Sequence, residues 1–262
     1  MVDVQGRAIY GDFEIAYRAH GDGSPLMLVP GVTQSAERWL EAGYVDALSK
    51  SRRVVAVDPL GHGLSSKTAA IDAYAPDRLV EHLLAVLDDA DIEVADVWGY
   101  SRGASMAGKL AERHPDRVRR LVVGGIPLFE TRPIMEALGM IPDWSVVEER
   151  HERCLGGDWS AYWDGFPLPL PDVVKDDLAS RNDLSSISAC GVAGHLEPMV
   201  WQATPGIETL AYWGHSEIFH ELNVEAAADQ PIRTCTVEGG HAEAFFPAEP
   251  AMAEVNPFLS SE

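Results

Sequence analysis

The stretch Val94-Ala95-Asp96-Val97-Trp98-Gly99-Tyr100-Ser101-Arg102-Gly103 decides the fold. Its first half is a short apolar run that reads as a strand over 94–98, and residues 102–113 read as a helix stopped by His114-Pro115. Between them lies a G-x-S-x-G turn, a pattern with little weight alone that gains meaning from the strand before it and the helix after it. The glycines have a steric reason: a side chain two residues before or after the serine would crowd the helix against the strand. Ala104, Ala107 and Gly108 extend that closeness. Such a turn presents a serine hydroxyl, which makes Ser101 the candidate nucleophile. The plainer alternative is a strand-to-helix turn with an incidental serine.

Upstream, residues 6–20 read as two strands around Gly11-Asp12, because Phe13, Ile15 and Tyr17 alternate with polar or small residues. Leu26-Met27-Leu28-Val29 and Arg53-Val54-Val55-Ala56-Val57 are short apolar runs suited to strands covered on both faces, with a helix over 36–49 between them. A stronger helix begins at Pro76 and places Leu79, Leu83, Leu84, Val86 and Leu87 on one face. Downstream, 118–123 is another strand, and this alternation specifies a parallel sheet. Residues 127–203 are rich in proline, tryptophan and acidic residues, with helical pieces but no clear strand, as expected of an inserted lid. Strands at 208–212 and 232–237, with helices near 217–228 and 247–256, complete the pattern. The expected class is α/β: a mostly parallel eight-stranded sheet with helices on both faces, its core made of 1–126 and 204–262 and interrupted by a lid of 127–203.

Composition narrows the functions. The 262 residues carry 20 Lys and Arg against 41 Asp and Glu, a formal net charge of −21, which disfavours phosphate backbones and anionic membranes. The expected partner is therefore a small-molecule substrate, with no nucleic acid and no membrane, and a homo-oligomer is compatible with the sequence. Cys154, Cys190 and Cys235 are odd in number and widely spaced, so they form neither a disulfide framework nor a CxxC site. No HExxH, clustered Cys/His set or dinucleotide fingerprint occurs, so no metal or organic cofactor is expected. The first residues lack a signal-peptide pattern and no segment reaches transmembrane length, pointing to a cytoplasmic protein.

A serine hydroxyl needs a base, normally a histidine oriented by a carboxylate. His241 follows Gly239-Gly240 just beyond the last strand, where a glycine pair can turn the imidazole toward the nucleophile; His215 and His220 suit exposed or packing roles better. Glu217 lies at the carboxyl end of the preceding strand, the edge where open parallel sheets bind ligands. Its rival is Glu130, and the alternative for Glu217 is an exposed glutamate at a helix start. An oxyanion needs two amide donors, for which Arg102 and Val32 stand at the appropriate places after the nucleophile and after an earlier strand. Trp159, Tyr162, Trp163 and Phe166 could wall an apolar pocket or simply pack the lid onto the core.

The sequence resembles the α/β-hydrolase superfamily, in its branch of small lidded esterases, lactonases and carbon–carbon bond hydrolases, over nearly the whole chain. Besides the serine turn, Asp58-Pro59-Leu60-Gly61-His62-Gly63-Leu64-Ser65 is similar to the family's loop after its fourth strand, which implies a structural role for His62. Pro30 stands where many relatives have histidine, and Glu217 where many have aspartate. Serine at 101 argues against the aspartate-nucleophile chemistry of the similar haloalkane dehalogenases and epoxide hydrolases. The resulting expectation is a serine hydrolase that cleaves a carboxylic ester or lactone of a small, partly apolar substrate through an acyl-enzyme. The alternatives are a carbon–carbon bond hydrolase acting on a dienoate or diketone, thioester hydrolysis, and a catalytically silent binding protein. A lid arginine that grips a carboxylate would mark the carbon–carbon case; Arg132, Arg153 and Arg181 are the candidates there, with a solvated surface role as the plainer expectation.

Overall fold

A computed structural model describes residues 4–130, 132–137, 141–165, 170–199 and 201–260. The hairpin β1 (Val4–Tyr10) and β2 (Phe13–His20) leads into β3 (Ser24–Val29), the short helices α1 (Ala36–Glu41) and α2 (Tyr44–Leu48), and β4 (Arg52–Val57). Then come α3 (Pro76–Asp89), β5 (Ala95–Tyr100), α4 (Arg102–Arg113) and β6 (Val118–Gly124). Among the described residues, five helices occupy the interval before the next strand: α5 (Arg132–Ala137), α6 (Trp144–Leu155), α7 (Trp159–Asp164), α8 (Asp172–Arg181) and α9 (Leu184–Leu196). β7 (Glu208–Gly214), α10 (His220–Ala228), β8 (Arg233–Val237) and α11 (Glu249–Ser260) follow. The sheet has eight strands in the order β1-β2-β4-β3-β5-β6-β7-β8. Only the β1/β2 and β2/β4 pairs are antiparallel.

The apolar runs fold as strands because alternate residues find a core on each face. Met27, Val29, Val55, Val57 and Val97 pack with Leu79, Leu83 and Leu87 of α3 and with Ala104, Ala107 and Leu110 of α4. Leu26, Leu28, Val54, Ala56 and Trp98 face the other way, against α1, α2 and α11. In that second layer the Trp39 ring lies 4.8 Å from both Tyr44 and Phe245 and 5.5 Å from Trp98, tying β5 to the segment that follows β8. At the opposite end of β5, fully buried Asp96 is held by Arg52 at 2.7 Å and Arg119 at 2.6 Å.

Several boundaries differ from the sequence reading. The helix expected over 36–49 is two helices, because Gly43 takes φ 89° and interrupts the hydrogen-bond ladder. β5 and β7 run on through Gly99-Tyr100 and Trp213-Gly214, since the pairing of Tyr100 with Gly124, and of Gly124 with Tyr212, continues past the apolar run. The helix expected from residue 217 starts at His220, leaving Glu217 in the preceding turn. The helical insertion between β6 and β7 is consistent with a lid. Its helix α9 rests on the core through Ala189, Cys190 and Ala193, whereas Cys154, Ala161, Leu184 and Ile187 form a cluster internal to the insertion.

Candidate active site

Ser101 occupies the turn between β5 and α4 with φ 52° and ψ −127°, a conformation a residue with a Cβ rarely adopts. Its N–H donates to Gly124 O at 2.7 Å, and its carbonyl accepts from Ala104 N–H at 2.8 Å. A Cβ on Gly99 would stand 2.2 Å from Gly103 O, and one on Gly103 would stand 2.1 Å from Val29 O. Strand, turn and helix thus touch backbone to backbone, and that contact holds the serine in its strained pose.

The loop after β3 lies against this turn: a Cβ on Gly31 would be 3.1 Å from Ser101 Cβ. Two buried side chains pin the loop. His62 Nε2 accepts from Thr33 N–H at 3.1 Å, while Nδ1 lies 3.0 Å from Leu60 O. Burial lowers the His62 pKa to about 4, so the ring is neutral and keeps an acceptor nitrogen for Thr33. Asp58 accepts from the amides of Ala36 at 2.7 Å and Leu64 at 2.8 Å. Among the described residues, the Val32 and Arg102 amides donate no hydrogen bond, which leaves both available to a developing negative charge.

His241 sits beyond β8, half-buried, with its ring 5.2 Å from that of Tyr100, and Tyr100 Oη donates to His241 O at 2.5 Å. Burial and the Glu217 carboxylate hold the Tyr100 phenol well above its ordinary pKa, so it remains a donor. Glu217 Oε1 lies 3.6 Å from His241 Nδ1 and accepts from Gly214 N–H at 3.1 Å. That is ion-pair range, longer than a hydrogen bond. No hydrogen bond joins the Ser101 hydroxyl to His241 among the described residues; such contacts commonly tighten only when substrate binds. Glu130 is exposed after β6 and forms no ion pair among the described residues. His215 is exposed, and His220 packs beside Trp213.

In the insertion, Trp159 and Trp163 stack at 5.5 Å, and Trp159 and Tyr162 pack against the internal cluster of Cys154, Ala161, Leu184 and Ile187. Phe166 lies outside the described residues. Tyr162 is close enough to Arg102 for the guanidinium charge to act on its phenol. Tyr100 escaped the sequence reading; its only signal was its place immediately before Ser101.

Fold and site together define an enzyme of the α/β-hydrolase class with a helical insertion. Residues 24–152 match the family model described as alpha/beta hydrolase fold, and the chain belongs to that family. It is 45% identical over 168 residues to 2-hydroxymuconate semialdehyde hydrolase from Pseudomonas sp. (strain CF600), covering 64% of this chain and 56% of the relative. It is 40% identical over 190 residues to 2-hydroxymuconate semialdehyde hydrolase from Pseudomonas putida, covering 64% and 67%. The matches thus span only part of the relatives' length. Among solved structures, the enol-lactonase from Burkholderia xenovorans LB400 superposes with a TM-score of 0.76 at 20% identity, covering 98% of this chain and 100% of that one, a likeness of fold. No helix among the described residues is long and apolar enough to cross a membrane.

Proposed function

We propose that the chain hydrolyses a carbon–carbon bond in a 2-hydroxy-6-oxo-2,4-dienoate, the class to which 2-hydroxymuconate semialdehyde belongs. The observation that carries this is the 45% and 40% identity to two hydrolases of that compound. The ester and lactone reading that the sequence put first uses the same machinery, and these relatives favour its alternative.

In this reading Ser101 is the nucleophile, His241 the base and Glu217 the group that orients it. The substrate first ketonises, the 2-hydroxyl proton moving to C5 to give the 2-oxo-3-ene; Ser101 Oγ then attacks the C6 carbonyl as its proton passes to His241. The amides of Val32 and Arg102 hold the resulting oxyanion. Collapse breaks the C5–C6 bond, and the electron pair moves into the conjugated 2-oxo system, where a proton from His241 quenches it. Water activated by His241 then cleaves the acyl-serine. The balance is dienoate plus water giving 2-hydroxypenta-2,4-dienoate and a carboxylic acid, formate when C6 is an aldehyde. The buried core of the turn supports the role of Ser101, and the aromatic residues of α7 are suited to an apolar wall.

The test is to incubate the chain with 2-hydroxymuconate semialdehyde and to quantify formate and hydroxypentadienoate by chromatography. Equimolar products that disappear in Ser101→Ala are expected. Cleavage of p-nitrophenyl esters or lactones without dienoate turnover would return the assignment to ester hydrolysis. Failure of a fluorophosphonate to label a well-folded chain would leave a binding protein.

A further inference from the structure

Arg102 carries a charge that the described residues leave without a counterion. Among the described residues it joins no ion pair, although carboxylates outnumber Lys and Arg by 41 to 20. The arginines expected to mark a substrate carboxylate are engaged elsewhere. Arg153 holds Asp158 at 2.8 Å, and Arg181 holds Glu41 at 2.7 Å and Asp177 at 2.9 Å on the surface. Arg132 donates to His195 O at 3.0 Å and lies 3.9 Å from Glu136.

The half-buried Arg102 side chain runs from the N-terminus of α4 to the underside of α9. Its Nη1 lies 2.9 Å from where a Cβ of Gly194 would stand, and its guanidinium contacts the buried Cys190 thiol. Groups within its electrostatic reach include the Tyr162 phenol and the neutral His62 ring. A half-buried guanidinium with no ion pair and a thiol as its contact keeps donors to spare. In a chain of net charge −21, an anionic substrate also needs a local cation to overcome the general field.

We propose that the Arg102 guanidinium is the anion-binding group of this site, receiving a substrate carboxylate fork to fork while the far carbonyl of the same molecule meets Ser101. One residue thereby serves both ends of the reaction, its amide turned to the oxyanion and its side chain to the carboxylate. The inference rests on the serine-site reading above and names its substrate class: acids whose charge is separated from the reacting carbonyl by an apolar, conjugated spacer. It moves the specificity-determining cation from the lid helices to the nucleophile turn.

The test uses sorbate, a stable dienoate, and its uncharged amide, titrated calorimetrically into Ser101→Ala and into Ser101→Ala carrying Arg102→Met or Arg102→Lys. Sorbate is expected to bind about 10- to 100-fold tighter than sorbamide with arginine present. That ratio should fall to about one with methionine and recover in part with lysine, each variant having the circular dichroism of the parent. Sorbate that binds no tighter than sorbamide, undetectable binding of both included, overturns the inference, as does a preference that survives Arg102→Met. Absence of dienoate hydrolysis alongside an arginine-dependent preference would overturn the proposed reaction and leave the anion site standing.

Discussion

Ser101, the proposed nucleophile, and Glu217 and His241, the proposed acid–base pair, stand on the same edge of the sheet but are held in opposite ways. Ser101 is fixed by backbone against backbone, with contacts at Gly99 and Gly103 that no side chain could share. Glu217 and His241 come from turns beyond β7 and β8, and their 3.6 Å separation leaves the pair open. In the proposed reaction the nucleophile is therefore preorganised, whereas the base would have to gain its orientation from the substrate.

The largest effect that bears on this contrast is expected at the loosely held side. Glu217→Gln should lower kcat by about 10²- to 10⁴-fold with a smaller change in KM, because the amide no longer stabilises the imidazolium. A loss under threefold in steady-state kinetics would remove Glu217 from the role and direct the same measurement to Glu130→Gln.

Acid sensitivity comes next and belongs to the rigid half. His62 and His82 are buried, and burial lowers each to about 4, so the unfolded chain binds more protons than the folded one between pH 6.5 and 4. Their contribution is complete above pH 6.5 and is lost as the pH falls toward 4, with a slope of about 1.4 kcal/mol per pH unit for each ring. Among the described residues the nitrogens of His82 have no hydrogen-bond partner, and its ring packs 5.0 Å from that of Tyr10. His82→Phe should accordingly flatten the urea-measured stability between pH 6.5 and 4; an unchanged slope would show that His82 is not buried neutral.

Tyr100→Phe removes the donor to His241 O and is the link between the halves. A loss of about 1 kcal/mol in stability and a several-fold fall in kcat are expected. Wild-type kinetics would show that the histidine loop is held without it. The smallest effect lies at the seam between the helical insertion and the core, where Asn182 donates to Thr33 O at 3.0 Å and Arg38 meets Asp177 at 3.2 Å. Arg38→Gln should cost about 0.2–1 kcal/mol, with the difference from wild type shrinking in added salt. A salt-independent difference would mean that packing, not charge, closes the seam.

The same contrast explains what was legible in the sequence. The nucleophile side is written locally: strand, glycine-flanked serine and helix adjoin, and α4 begins and ends at the expected residues 102 and 113. The eight strands follow from apolar runs whose period matches two covered faces. Boundaries failed where a backbone conformation or a distant partner decided them, as at Gly43 and at the extension of β5 along Gly124. The hydroxyl of Tyr100 reaches a carbonyl 141 residues away, and no local pattern encodes that contact. Arg102 was readable as an amide because its place after the serine is fixed. Its side chain was not, since the direction it takes depends on how α9 crosses the site.

The most direct test of an activated nucleophile is intact-mass spectrometry after reaction with a fluorophosphonate at neutral pH. A single adduct that maps to Ser101, is absent in Ser101→Ala and forms at least tenfold more slowly in His241→Ala is the expected result. Labelling at another residue, or at Ser101 with a rate indifferent to His241, would contradict the assignment of the pair.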